Sequence, residues 1–493
     1  MHTASTRRRP RWSSLARPWQ VLAVAGLAVY MAALDLTIVN VAFPDLTADF
    51  GATTSTSTLA WVITSYNITF AAVLLAGGRL ADRYGRRLLF LTGTTVFVTG
   101  SVLCGLAPTP GALIAARVIQ AVGAALLFPA SLALILPEFP VERRSAAIGV
   151  WGAIGGVAAA SGPSIGSVLI DAFSWRAAFL VNVPVGVLAM VAGRRILAES
   201  TDPDARGLPD IVGALIAAAA VGALVLGIAQ GSEWGYTDER TVAAVVVATA
   251  LFPVFVWRCA RHRAPLLDLG LFRLRFFTVA NSANFAFSVG FFAMLFVNIN
   301  FLTSVWGYSI LAAGLAFTPG PLSAAAVAPF AGRHADRIGH RVVVVPGAVL
   351  FVAGMAIYVT QLGPEATYWS TYLPASVVIG VGIGILLATL TSASNAFLPA
   401  RRFAMGSAFH ITVRQVAAAV GIAVAVALLG DAIDPGAATP AEAMSSFRAA
   451  WAFLAAAVAA AGVIMAVAYR RPEIPVTADA TPSEPVRSPQ QRD

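Results

Sequence analysis

The chain has 493 residues, 58% of them hydrophobic and only 12% charged, with a mean hydropathy of +0.78. A water-soluble body of this size needs far more charge on its surface elements, so soluble enzymes, nucleic-acid binders and disordered proteins are excluded, and a polytopic membrane protein remains. The formal charge of +9 rests on 33 basic residues, all Arg, whose placement reads as topology determination beside an anionic leaflet.

In chain order, a basic arm (1–18) carrying Arg7, Arg8, Arg9 and Arg11 precedes an apolar stretch too long for the core of a signal peptide, so that stretch is expected to stay as the first span. Windows of about 20 apolar residues predict about fourteen membrane-spanning helices. They fall at 19–43, 58–78, 88–107, 112–134, 146–169, 177–196, 210–229, 241–257, 277–302, 310–331, 342–360, 371–393, 406–429 and 449–469. The run 276–332 is uncharged throughout and too long for one crossing, so a break is placed at Trp306-Gly307-Tyr308-Ser309. The Phe-rich ninth span (Phe285, Phe287, Phe291, Phe292, Phe296) is expected to face lipid, and the Pro-rich tail 472–493 to be disordered.

Arg residues crowd the N-terminal arm and alternate connections (Arg79/Arg83/Arg86/Arg87, Arg143/Arg144, Arg194/Arg195/Arg206, Arg258 to Arg275, Arg333/Arg337/Arg341, Arg401/Arg402, Arg470/Arg471), while the opposite loops hold Arg176, Arg240 and Arg448. This one-sidedness predicts both termini in the cytoplasm; the use of Arg alone for all basic positions hints at a bacterial source, and the expected location is a bacterial inner membrane. Loops of tens of residues leave no room for an extramembrane catalytic domain, so no enzymatic activity is expected. Cys104 and Cys259 lie on different elements and suggest neither a disulfide nor a metal site. His262, His334 and His340 are expected to be solvated in loops and His410 to be interfacial, with no metal cluster.

The stretch Gly78-Arg79-Leu80-Ala81-Asp82-Arg83-Tyr84-Gly85-Arg86-Arg87 recurs as Gly332-Arg333-His334-Ala335-Asp336-Arg337-Ile338-Gly339-His340-Arg341. One copy follows the second span and the other the tenth, which predicts two six-helix halves of like topology with two helices inserted between them. The expected all-α fold is divided into the arm, a first bundle at 19–197, a linker with two extra helices at 198–275, a second bundle at 276–471 and the tail. Gly85 suits a tight turn, and Asp82 can pair with Arg or face a helix N-terminus.

Few ionisable residues fall well inside a span, where burying one costs about 2.5–3.5 kcal/mol on insertion scales. Asp35 is the clearest, a lone carboxylate able to gain and lose a proton as its surroundings alternate. Arg117 lies at a similar depth: by helix rise, roughly 9 Å from its outer end against roughly 12 Å for Asp35. A guanidinium so placed would tune the carboxylate. Gln120, one turn on, is expected beside it, and Asn40 and Arg414 are further cavity-lining candidates, Arg414 being long enough to snorkel. Gly162-Pro163 interrupts the fifth span as a bend or a packing seam.

These motifs resemble the major facilitator superfamily and, within it, the fourteen-span drug:proton antiporters. The likeness runs through 34–44, Trp61-Val62, the Gly78 loop, Arg117-Val118-Ile119-Gln120, Gly162-Pro163, Trp175-Arg176, Asn182-Val183-Pro184-Val185-Gly186, Pro265-Leu266-Leu267-Asp268-Leu269 and Arg414-Gln415. Two positions depart from the family pattern: Ala121 and Ser167 stand where Gly is usual. The resemblance implies proton-coupled efflux of lipophilic, including cationic, drugs or antibiotics by alternating access, driven by the proton gradient with no cofactor. Asp35 and Arg117 would carry the coupling, and Gly78, Asp82, Arg83, Gly85, Arg86, Gly162, Pro163 and Asp336 the conformational exchange. The expected partners are a small-molecule substrate, protons and the bilayer, with no nucleic acid; oligomeric state is not legible. An exporter of one endogenous metabolite, an uptake carrier and a non-transporting receptor are the alternatives. Asp35→Asn is expected to abolish pH-driven transport with the fold largely intact.

Overall fold

The structure, a computed structural model, describes residues 16–51, 54–139, 141–201, 210–262, 265–395, 397–398, 400–433 and 439–470. The arm before residue 16, the tail, and the side chains of Asp82 and Asp336 lie outside the described residues. Fourteen long helices follow one another: α1 (Arg17–Phe50), α2 (Thr56–Leu59 continued by Trp61–Tyr84), α3 (Arg86–Gly105), α4 (Pro110–Ile135), α5 (Val141–Ala172), α6 (Ala177–Leu180 continued by Asn182–Ile196), α7 (Ile211–Trp234), α8 (Glu239–Arg261), α9 (Arg275–Ser304), α10 (Ile310–Phe317 continued by Pro319–Ile338), α11 (His340–Gln361), α12 (Tyr368–Asn395), α13 (Ala400–Leu429) and α14 (Pro440–Ala468). Among the described residues, thirteen of them are long and apolar enough on length and composition alone to cross a bilayer, and no strand occurs.

One predicted span falls on each helix. Several helices run longer: α1 continues to Phe50 and α14 starts at Pro440, because hydropathy registers the apolar segment whereas helix ends are set by capping. Thr439 and Glu442 form a reciprocal capping box at the start of α14. At the predicted break in 276–332, Gly307 takes φ +64° and the Ser309 side chain accepts from the amide of Ala312 at the start of α10.

The two halves repeat each other in packing as well as in sequence. In the first, α1 packs on α4, α5 and α6, α4 on α2 and α3, and α3 on α6. In the second, α9 packs on α12, α13 and α14, α12 on α10 and α11, and α11 on α14. Adding eight to each helix number converts one pattern into the other. The halves meet through α2 with α13, its pseudo-symmetric counterpart α5 with α10, and α1 with α9. Both copies of the Gly-Arg motif close their helix pair with a left-handed glycine, Gly85 at φ +121° and Gly339 at φ +103°, a conformation that costs other residues strain.

The inserted helices α7 and α8 pack on each other, and α7 also lies against α2 and α13. On the face where α1 starts and α14 ends, here the terminal face, the Asp210 carboxylate caps α7 by accepting from the Gly213 amide at 2.8 Å. It also accepts from Arg258 Nε of α8 at 2.7 Å. On the far face, Ser57 donates to Gln230 Oε1 of α7 at 2.8 Å. The insertion thus covers the α2–α13 seam.

Three expectations change. The ninth span does not face lipid: of its five phenylalanines only Phe285 is exposed, and Phe287, Phe292 and Phe296 are buried, because α9 is the counterpart of α1 and is enclosed by α1, α12, α13 and α14. His340 is buried rather than solvated, with Nε2 3.0 Å from Ser392 Oγ. His410 is buried in the second half among Asn281, Ser394 and Thr391 rather than interfacial.

Candidate functional site

Asp35 stands where α1, α3, α4 and α6 converge and is 0% exposed. Burying a charge is tolerated only when it is paired and hydrogen-bonded, and both carboxylate oxygens here are engaged. Arg117 Nη1 of α4 donates to Asp35 Oδ2 at 2.5 Å, while Oδ1 accepts from Gln120 Nε2 at 2.8 Å and from Asn182 Nδ2 of α6 at 2.9 Å. The depth matching of Asp35 and Arg117 predicted from helix rise is therefore realised as a direct ion pair.

Further contacts extend the network. Arg117 Nε donates to the Val62 carbonyl of α2 at 3.0 Å, its Nη1 to Gln120 Oε1 at 2.6 Å, and its guanidinium lies 4.1 Å from the Tyr66 ring centroid. Ser101 Oγ of α3 accepts from both Gln120 Nε2 (2.6 Å) and Asn182 Nδ2 (2.9 Å). Gly100 makes this convergence possible: a Cβ there would stand 2.6 Å from Gln120 Cα.

The residues that sequence reasoning missed are Ser101, Tyr66 and the Val62 carbonyl. A serine in an apolar run carries little signal, since small hydroxyl residues are common packing residues in membrane helices. Asn182 and Val62 were visible only as pieces of motifs without an assigned contact. Gln120 is fully buried within the network instead of lining a cavity. Asn40 is also buried and donates to its own helix, to the Leu36 carbonyl at 3.1 Å, with Oδ1 lacking a hydrogen-bond partner.

Two residues beyond Asp35, α1 meets the fifth-span motif. A Cβ on Gly162 would collide with Thr37 Oγ1, and one on Gly166 would crowd Ile38, so these glycines let α5 lie directly on α1. Ser167, the departure from the usual glycine, is accommodated because the facing residue on α10 is Gly314. In the same stretch Ser164 Oγ and Thr318 Oγ1 are 2.5 Å apart. Together with the Phe43–Phe296 edge contact at 4.7 Å, these contacts join the halves toward the far face.

On the terminal face, the Gly78 loop is held by a group that the motif does not contain. Glu199, after α6, accepts from the backbone amides of Arg87 and Leu88 at 3.0 Å each and so caps α3 with a negative charge. A Cβ on Gly85 would strike the same carboxylate at 2.6 Å. Gly78 packs against Pro129 of α4, Arg86 Nη1 reaches the Ala133 carbonyl at 3.5 Å, and Arg83 is exposed with its guanidinium 5.3 Å from the Tyr84 ring. Burial depresses the pKa of Arg79 at this end of α2, and the charge of Asp268 in the Pro265-Leu266-Leu267-Asp268-Leu269 segment opposes that shift. Asp82 and Asp336, expected to govern exchange, lie outside the described side chains.

The second half holds an apolar chamber of roughly 110 Å³ whose lining includes Phe291, Leu295, Asn298, Tyr358 and Ile383, with Thr37 its one contribution from the first half. Arg414, on α13, has its guanidinium 5.9 Å from the Phe292 ring centroid.

The description Major Facilitator Superfamily matches residues 25–421 and, in a second match, 282–490. The chain belongs to the major facilitator superfamily. It is 33% identical over 404 residues to Multidrug resistance protein Stp of Mycobacterium tuberculosis (strain CDC 1551 / Oshkosh), covering 82% of this chain and 74% of that protein. It is 32% identical to the Methylenomycin A resistance protein of Bacillus subtilis (strain 168), covering 82% and 86% respectively. With Cephamycin export protein CmcT of Amycolatopsis lactamdurans it shares 31% identity over 96% of both chains. Membership in this superfamily makes the chain a multi-pass membrane transporter and not an enzyme. The second match, starting within α9, agrees with the repeat of six helices seen in the packing.

Proposed function

We propose that this chain is a proton-coupled exporter of lipophilic small molecules, set in the bacterial cytoplasmic membrane with its terminal face in the cytoplasm. The one-sided Arg placement supports that orientation. The names of the relatives, which speak of resistance and export, support the outward direction.

The observation that carries the reading is the Asp35 network. The carboxylate accepts three hydrogen bonds, one of them from the Arg117 guanidinium at 2.5 Å, and so ties α1 to α4 and α6. Protonation removes the charge that holds Arg117, so α1 loosens from α4 and α6 when a proton arrives and tightens when it leaves. Thr37 and Ile38 pass a shift of α1 to Gly162 and Gly166 of α5. From α5, the Ser164–Thr318 contact passes it to α10 of the other half. A proton taken from the far side and released to the cytoplasm would thus alternate the contact between the halves and drive solute outward. The far-face contacts support reading the present arrangement as one closed to the outside.

The test uses inside-out membrane vesicles, energised to acidify their lumen and offered a panel of dyes and antibiotics. Accumulation of at least one compound that collapses when nigericin abolishes the pH gradient is expected. Accumulation of none, or accumulation indifferent to the gradient, would contradict the reading. A second reading, export of a single product, is favoured by the similarity to a protein named for cephamycin export along nearly its whole length. Acceptance of one chemical scaffold across the same panel would select it.

A further inference from the structure

We infer that Arg414 is the counter-charge for the anionic group of the transported molecule, so that the preferred substrate is an amphiphilic organic anion, a carboxylate or sulfonate on an apolar frame. This inference rests on the exporter reading and narrows its substrate class. It runs against the cationic compounds that the sequence resemblance admits.

The argument begins with the charges in the middle of the bundle. Asp35 and Arg117 satisfy one another, with Gln120 and Asn182 completing the shell. Arg414 lies eight residues beyond Gly406, where the apolar span of α13 begins, roughly 12 Å along the helix and therefore deep within the membrane. Among the described residues it has no carboxylate within ion-pair distance and no hydrogen-bond acceptor, and its contact is the face of Phe292 at 5.9 Å. One turn back, His410 is surrounded by Asn281, Ser394 and Thr391, which supply hydroxyl and amide groups but no negative charge. Among the described residues the interior therefore carries one uncompensated positive charge.

That charge faces inward. No described side chain from 406 to 429 on α13 is exposed, because α2, α7, α9, α12 and α14 surround the helix. The Arg414 guanidinium lies against Phe292, itself 7% exposed, on the neighbouring α9, which argues against snorkelling out to lipid. A planar guanidinium with free donors in such a place matches a carboxylate or sulfonate. The apolar frame has its own site close by: the Phe292 ring is 4.9 Å from that of Phe291, which lines the apolar chamber.

The experiment measures binding of three probes with one skeleton, pyrenebutyrate, its methyl ester and pyrenebutyl-trimethylammonium, to the full-length protein in lipid nanodiscs, with empty nanodiscs subtracting partition into lipid. The acid should bind at least tenfold more tightly than the cation. Arg414→Gln should weaken the acid at least tenfold and leave the ester within twofold, while Arg414→Lys retains most of the preference. Comparison of acid with cation on the unmodified protein stands even where Arg414→Gln fails to fold. Equal or tighter binding of the cation, equal loss of acid and ester in Arg414→Gln, or binding of none of the three overturns the inference. Preference for the acid without gradient-driven movement in proteoliposomes would refute the exporter reading and leave the anion site standing. Gradient-driven movement of the cation in preference to the acid would do the reverse.

Discussion

Replacing Asp35 by Asn tests how the network is held together, because the substitution keeps shape and removes charge. The Asp35 carboxylate accepts three hydrogen bonds, from Arg117, Gln120 and Asn182. An asparagine has one acceptor oxygen and one amino group. If its oxygen keeps Gln120 and Asn182, its amino group opposes Arg117 Nη1 at a position where the carboxylate stood 2.5 Å away; if the amide flips, it opposes the other two donors. Either way Arg117, 1% exposed, loses its counter-ion. Removing one member of a buried pair costs about 3–5 kcal/mol, so the sequence-based expectation that the fold would be largely intact underestimates the damage. Arg117→Gln leaves a carboxylate that can relieve itself by taking a proton and should cost less. The double variant Asp35→Asn/Arg117→Gln restores neutrality and should be more stable than Asp35→Asn alone, with a coupling of about 2 kcal/mol or more. Denaturant titration of the purified protein, followed by tryptophan fluorescence, reads all four corners of the cycle. Losses that simply add would refute the argument that the pair is energetically one unit.

Gly162→Ala would drive a methyl group into Thr37 Oγ1 and should cost about 1–3 kcal/mol; thermal melting should show partial recovery in Gly162→Ala/Thr37→Ala, and no recovery would mean the seam is not where the clash arises. Glu199→Ala removes the acceptor of two amides at the start of α3 and should lower stability by about 0.5–2 kcal/mol, whereas an unchanged melting temperature would show that solvent caps the helix as well. Asp210→Asn discharges the partner of Arg258 at the base of the inserted hairpin. It should raise hydrogen exchange in the first turns of α7 and the last turns of α8, and protection equal to wild type would show that packing alone holds them.

Much of the architecture was legible because the bilayer imposes strong rules on sequence. Charge-free runs of a given length become spans, Arg residues collect on one side, and the break between α9 and α10 announced itself through Gly307 and Ser309. The Asp35–Arg117 pair was legible for the same reason, since two ionisable residues at matching depth have few alternatives to each other. What hydropathy does not encode is which face of an apolar helix meets protein. The phenylalanines of α9 look identical to lipid-facing ones in sequence, and only the enclosure of α9 by four neighbours distinguishes them. Asn182 and Ser101 join the site through helix rotation, and Glu199 through the path of the chain after α6. None of these can be read from local spacing.

The central claim is that Asp35 carries the proton that drives export, and solute movement in proteoliposomes tests it most directly when two modes are measured on one preparation. For any compound the vesicle panel identifies, Asp35→Asn should lose accumulation driven by a pH gradient, while the fraction that folds still exchanges solute for solute across the membrane with no gradient imposed. Accumulation that survives the substitution undiminished, with the same dependence on the gradient, would contradict the account.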